Sequence, residues 1–135
     1  MILQLVLMMM AGFDPTVLTA HAAPVELNST TTIAAYVRQV QQEYGLGDDF
    51  YETLKYESWG FQNIQSHVPS KTGPNEREDS WGTCQIHLPS HPHITKEQAM
   101  DPEWCVEWTA EQFKAGRQSK WTAWRLFHSD SKLLR

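Results

Sequence analysis

The sequence predicts a mainly α-helical single domain with long loops. Three observations predict it. Apolar residues recur at spacings of three and four within Thr32–Tyr44, in the segment opening at Asp48 or Asp49, and after Asp101. A stretch around residues 62–80 has almost no periodicity and is punctuated by proline and glycine. No segment offers a convincing set of paired strands. A chain of 135 residues has room for one core and little more.

The chain opens on "MILQLVLMMMAGF", an apolar run of signal-peptide length, followed by "LTAHAAP". Ala20-His21-Ala22 fits the small-x-small pattern before a cleavage site, so residues 1–22 read as a secretory signal cut before Ala23. The usual Lys or Arg near the start is missing. The alternative is a single membrane anchor, but a span needs about 20 apolar residues, and Asp14 and Pro15 interrupt this run. Cleavage removes Asp14 and leaves 11 basic against 15 acidic residues, a net charge of −4. The basic residues form no stripe, which argues against a nucleic-acid groove. Binding to any anionic polymer would have to come from shape, stacking and hydrogen bonds.

Residues 23–30 read as an N-terminal tail and residues 31–135 as the folded domain. In the first helix Ile33, Tyr36, Val37 and Val40 share a face, Ser29 or Thr30 is the cap, and Gly45 the stop. In the second, Asp49 and Glu52 suggest a capping box, and Phe50, Thr53 or Leu54, and Glu57 lie on one face. Glu57 therefore closes an inward-facing stripe. A carboxyl group there, with Trp59 and Phe61 as an apolar wall, would be held protonated by desolvation. Gly60 ends the helix. The polar stretch "SHVPSKTGPNEREDS" reads as a surface loop flanking a cleft, with Glu76, Glu78 and Asp79 as solvated charges.

"SWGTCQI", Ser80–Ile86, reads as a turn or short extended segment pressed into the core. A proline-rich loop with His87, His91 and His93 follows; its spacing with Cys84 matches no structural zinc pattern, so no metal is expected. Asp101, Pro102 and Glu103 mark a helix start. Trp104, Cys105, Trp108, Gln112 and Ala115 are assigned one face, with Gly116 as the stop. A last helix over Lys120–His128 carries Trp121, Trp124 and Phe127. Five of the six tryptophans lie in the second half, with Trp104 and Trp108 the best core candidates. A lining for sugar rings would use the same residue type. Cys84 and Cys105 are the only cysteines, and an exported chain with two predicts one disulfide. The alternative is a pair of free, buried thiols.

Three segments together resemble the lysozyme-like soluble lytic transglycosylase family. "YGLGDDFYETLKYESWGFQNIQS" is similar to the family's stretch around its catalytic glutamate, with Glu57-Ser58 on the Glu-Ser pair. "SWGTCQIHLPSH" resembles its Ser-x-Gly-Leu-Met-Gln-Ile segment through Ser80, Gly82, Gln85 and Ile86, while Thr83 and Cys84 depart from Leu-Met. "DPEWCVEWTAEQFKAG" resembles its Asp-Pro-x-x-Asn-Ile helix through Asp101 and Pro102, with Trp104 and Cys105 near the Asn. The likeness spans Tyr36 to Phe127. The family's late Ala-Tyr-Asn motif is missing: "KWTAWRLF" stands there, with Trp121 and Trp124 the candidates for that space.

The resemblance implies a lysozyme-like fold outside the cytoplasm, periplasmic or secreted, acting as a monomer on peptidoglycan glycan strands without metal or organic cofactor. It implies cleavage between N-acetylmuramic acid and N-acetylglucosamine by Glu57 as acid and then base, leaving a 1,6-anhydro end. It implies that Ser58 orients Glu57 or caps the helix, and that Ser80 bonds near the carboxylate or the substrate. Gly82 would admit the backbone to a sugar, and Gln85 would contact sugar or brace its own turn. Two alternatives are a hydrolase of the same fold and a non-catalytic accessory protein that binds glycan. A small secreted member of this kind would accompany a secretion or conjugation machine, or a pilus.

Overall fold

The computed structural model describes residues 26–133. The predicted signal, residues 1–22, and the first part of the tail lie outside the described residues. Among the described residues, five α-helices and one small hairpin follow in order: α1 Thr30–Glu43, α2 Asp48–Glu57, β1 Ser80–Trp81, β2 Ile86–His87, α3 Lys96–Met100, α4 Pro102–Lys114 and α5 Thr122–Leu133. Single 3-10 turns occupy Pro74–Glu76, Leu88–Ser90 and Gln118–Lys120. Among the described residues, no helix is long and apolar enough to cross a membrane.

Helix α1 starts earlier than its periodicity suggests. Ser29 is its N-cap, and Thr32 returns the capping bond to the Ser29 amide, so the end of the expected tail belongs to the helix. Its buried face is Ile33, Val37, Val40 and Gln41. Tyr36 stays at the edge and donates its hydroxyl to Glu107 Oε1 at 3.0 Å. Gly45, at φ 64°, provides the left-handed exit.

Helix α2 begins at Asp48 with Gly47 as N-cap and no side-chain cap bond. The Asp49–Glu52 capping box is not formed; Asp49 Oδ1 accepts from the adjacent Phe50 amide, and its other oxygen accepts from Trp124 Nε1 at 3.2 Å. Phe50, Thr53 and Leu54 are buried as the helical period requires. The helix ends at Glu57 with Ser58 as its C-cap.

The stretch after α2 is more ordered than its polar composition suggests. Gln65 is buried and acts as a brace: its Nε2 donates to the Pro74 carbonyl at 2.7 Å, and its Oε1 accepts from Asn75 Nδ2 at 3.0 Å. Backbone pairing places Gln65 antiparallel to Trp81 beside the hairpin. In the hairpin, Ser80 pairs with His87 and Trp81 with Ile86. The sequence suggested no paired strands because two-residue strands are too short to show a period of two. Nor does the sequence reading include α3; Thr95 is its N-cap, and Gln98 within its first turn completes a capping box.

The core runs between α1, α2, α4 and the hairpin, with Val37, Phe50, Leu54, Val106, Phe113 and Ile86 among its members. Helix α1 packs on α2 and α4, α2 on α5, and α3 on α4 and β1. Asp101 caps α4 through the Glu103 and Trp104 amides, and Pro102 sits in its first turn. The buried face of α4 is Cys105, Val106, Thr109, Ala110, Gln112 and Phe113. Trp104 and Trp108 are half-buried, stacked side by side at 6.1 Å, and Ala115 is exposed, so the face is turned from the predicted one. Cys84 and Cys105 are joined, with Cα atoms 6.0 Å apart, and both are fully buried. The bond ties the hairpin turn to α4.

Candidate active site

Glu57 stands where α2 ends against the start of α5. Its Oε1 accepts from the Ala123 amide at 2.7 Å, within the first turn of α5. The carboxyl group is half-buried and lines a cleft of about 620 Å³, within the size range of ligand sites. Ile64, Ile86, Trp108, Trp121 and Leu126 supply much of its apolar wall. Desolvation raises the Glu57 pKa above the usual carboxylate range, and the negative charge of Glu78 pushes in the same direction. The Ala123 amide, Arg125 and the Thr122 amide oppose the rise, and desolvation prevails. The open N-terminus of α5 is where an anion is best tolerated. The group is thus set between two tendencies: burial favours its proton, and the helix end accepts its charge.

The second wall comes from the loop and hairpin. Glu78 and Ser80 lie on either side of a bend at Asp79 with their side chains in contact, while Ser80 pairs with His87 across the hairpin. The Ser80 hydroxyl donates to Glu78 Oε1 at 2.9 Å and lies 3.2 Å from His87 Nδ1. His87 Nδ1 and Glu78 Oε1 are 3.6 Å apart. All three residues line the cleft. His91 lines it too, and burial, then Lys120 and His87, hold its imidazole below the ordinary range.

The other expected site residues divide. Ser58 lines the cleft but is buried, and its hydroxyl donates to the Leu54 carbonyl at 2.7 Å; it finishes the helix and does not bond Glu57. Ser80 bonds Glu78, not Glu57. Gly82 does not admit a sugar: at φ 79° it presses on α3, and a Cβ there would overlap the Ala99 carbonyl oxygen. Gln85 lines the cleft, yet its amide donates to the Gly82 and Ile64 carbonyls at 2.9 and 3.1 Å and braces the turn.

Trp121 is buried, donates from Nε1 to the Cys84 carbonyl at 3.0 Å, and offers part of its ring to the cleft. Trp124 is not among the cleft residues; it bonds Asp49 and stacks on His128 at 3.8 Å. Phe61, expected beside Glu57, is instead buried in the core against Tyr51 at 4.9 Å. Glu78, expected to be a solvated charge, is a member of the site. No local signal marks it in the sequence: its place follows from the bend at Asp79 and the hairpin register. Among the described residues, no group of three or more His, Cys, Asp or Glu is placed to hold a metal ion.

Comparisons with protein-family models, curated proteins and solved structures give no match.

Proposed function

We propose that this chain is an exported, lysozyme-like lytic transglycosylase that cleaves the β-1,4 bond between N-acetylmuramic acid and N-acetylglucosamine in peptidoglycan. One observation carries the proposal: Glu57 lies in the cleft with its pKa raised by desolvation, at the end of a helix and against the amides that open another. A glycosidic oxygen leaves poorly unless protonated, and a carboxyl group whose protonated form is favoured by burial can supply one. The three-segment resemblance places the same residue on the Glu-Ser pair and supplies the substrate class.

In the proposed reaction Glu57 gives its proton to the leaving oxygen as the glycosidic bond breaks. The substrate's N-acetyl oxygen stabilises the charge developing at the anomeric carbon. The Glu57 carboxylate, steadied by the Ala123 amide, then takes the proton of the sugar's 6-hydroxyl. That oxygen bonds to the anomeric carbon, and the 1,6-anhydro ring closes without consuming water. No cofactor enters this scheme. Action beside a secretion, conjugation or pilus machine belongs to the same proposal and rests on chain size and the signal-like start.

A second reading, hydrolysis on the same fold, is favoured by Glu78. Glycoside hydrolases pair an acid with a second carboxylate, and Glu78 lines the cleft that holds Glu57. Mass analysis of muropeptides released from purified peptidoglycan tests both. Anhydro ends support the transglycosylase and reducing ends the hydrolase. Release of neither refutes both.

A further inference from the structure

We propose that the Trp59 indole, backed by His67, is a sugar-stacking platform that holds an N-acetylhexosamine ring at the rim of the cleft beside Glu57. The inference rests on the glycan-cleaving reading and deepens it by naming where the substrate is gripped.

The motive is a large exposed ring at a backbone position that favours glycine. Trp59, Gly60 and Phe61 follow one another at φ 53°, 87° and 65°. Glycine adopts such angles freely, but a bulky side chain at positive φ is strained. For Phe61 the compensation is plain: it is buried in the core on Tyr51. Trp59 is the residue just past the C-cap of α2: its amide donates to the Tyr56 carbonyl at 3.4 Å and that of Gly60 to the Lys55 carbonyl at 2.7 Å, so the helix end accounts for the left-handed backbone but not for a tryptophan where glycine is usual. It is 67% exposed, and its ring lies on that of His67, itself exposed, at 4.6 Å and 34°. A large apolar ring held in a strained backbone and left in water is a feature of ligand clamps rather than of cores.

Its place identifies the ligand. Trp59 and His67 both line the cleft, and Tyr56, 63% exposed, lies beside Glu57 on the same rim. A protein partner would need a broad face of roughly 1,000 Å² or more. The platform instead opens into a concave site whose floor holds carboxyl, hydroxyl and imidazole groups. A ligand that fits has one flat C–H face for the indole and polar groups at its edges. A pyranose ring has both, and indole offers a large, rigid contact at small entropic cost.

The test uses Glu57→Gln protein, in which cleavage is blocked, titrated by calorimetry with a β-1,4-linked N-acetylglucosamine oligomer and with purified glycan strands. We expect Glu57→Gln to bind both. Adding Trp59→Gly should weaken binding by about tenfold. The same change should leave the melting temperature level or higher, because glycine relieves the positive φ. Trp59→Phe should recover most of the affinity, and His67→Ala should lose part of it. Equal affinity with and without Trp59→Gly overturns the platform and leaves the role of Glu57 standing. A fall in melting temperature that accompanies the affinity loss, with no recovery by Phe, makes Trp59 structural and also overturns it. If Glu57→Gln binds neither glycan, the platform and the glycan-cleaving reading fall together.

Discussion

Removing the Cys84–Cys105 bond should lower stability by an amount that follows from its loop. The cysteines are 21 residues apart. In the chain-entropy picture, closing a loop of that length removes about 11 cal/mol/K from the unfolded chain, or about 3 kcal/mol at 25 °C. For a domain of roughly 100 residues this corresponds to a fall in Tm of about 12 °C. Replacing both residues by alanine also removes two fully buried sulfurs, so the double variant should fall at least that far. The effect should reach the site, since Trp121 hangs by its indole N–H from the Cys84 carbonyl. Thermal melts followed by circular dichroism, on oxidised wild type, reduced wild type and the double variant, measure the difference. Alkylation and mass analysis of protein exported by its native route check the bond itself. A Tm within about 2 °C of the oxidised protein would refute the reasoning, as would two alkylated thiols in the exported chain.

Two further perturbations probe the scaffold and the site electrostatics. Gly82→Ala forces a Cβ into the Ala99 carbonyl at a positive φ, so α3 must move off the hairpin; urea unfolding should show a loss of at least about 3 kcal/mol, and a midpoint equal to wild type would contradict that packing. The raised pKa of Glu57 makes stability depend on pH with a definite sign. The folded state holds this proton where the unfolded state, near pH 4.3, has released it, so stability is lost as pH rises from there through the folded pKa. Melts from pH 4 upward should show wild type losing ground to Glu57→Gln, and parallel curves would contradict the desolvated carboxyl.

The helical half of the fold was legible because its signals are local. Ser29 and Asp101 cap α1 and α4, Gly45 ends α1, and Ile33, Val37 and Val40 mark a face by spacing alone. Glu57 was legible too, since it closes the stripe begun by Phe50 and Leu54. What depends on distant partners was not. Glu78 enters the site only because the hairpin register sets Ser80 against His87. Gln65 looks like any polar loop residue until Pro74, Asn75 and Arg77 fold around its amide. The tryptophans show the same limit. The helical period could not say that α4 turns Trp108 toward the cleft, nor that Trp121 lies just before α5 and is buried there while Trp124 reaches back to Asp49. Gly82 was recognised as a backbone approach, but the neighbour is Ala99, not a sugar.

Digestion of purified peptidoglycan by wild type and by Glu57→Gln tests the role of Glu57 most directly. The two side chains have nearly the same shape, and the glutamine oxygen can still accept from the Ala123 amide. Only the transferable proton is lost. A positioned general acid is worth about 10²–10⁴ in rate, so release of anhydromuropeptides should fall at least about a hundredfold while the variant stays folded and bound to glycan. Release at the wild-type rate would mean that another residue is the acid and that Glu57 serves only to cap α5.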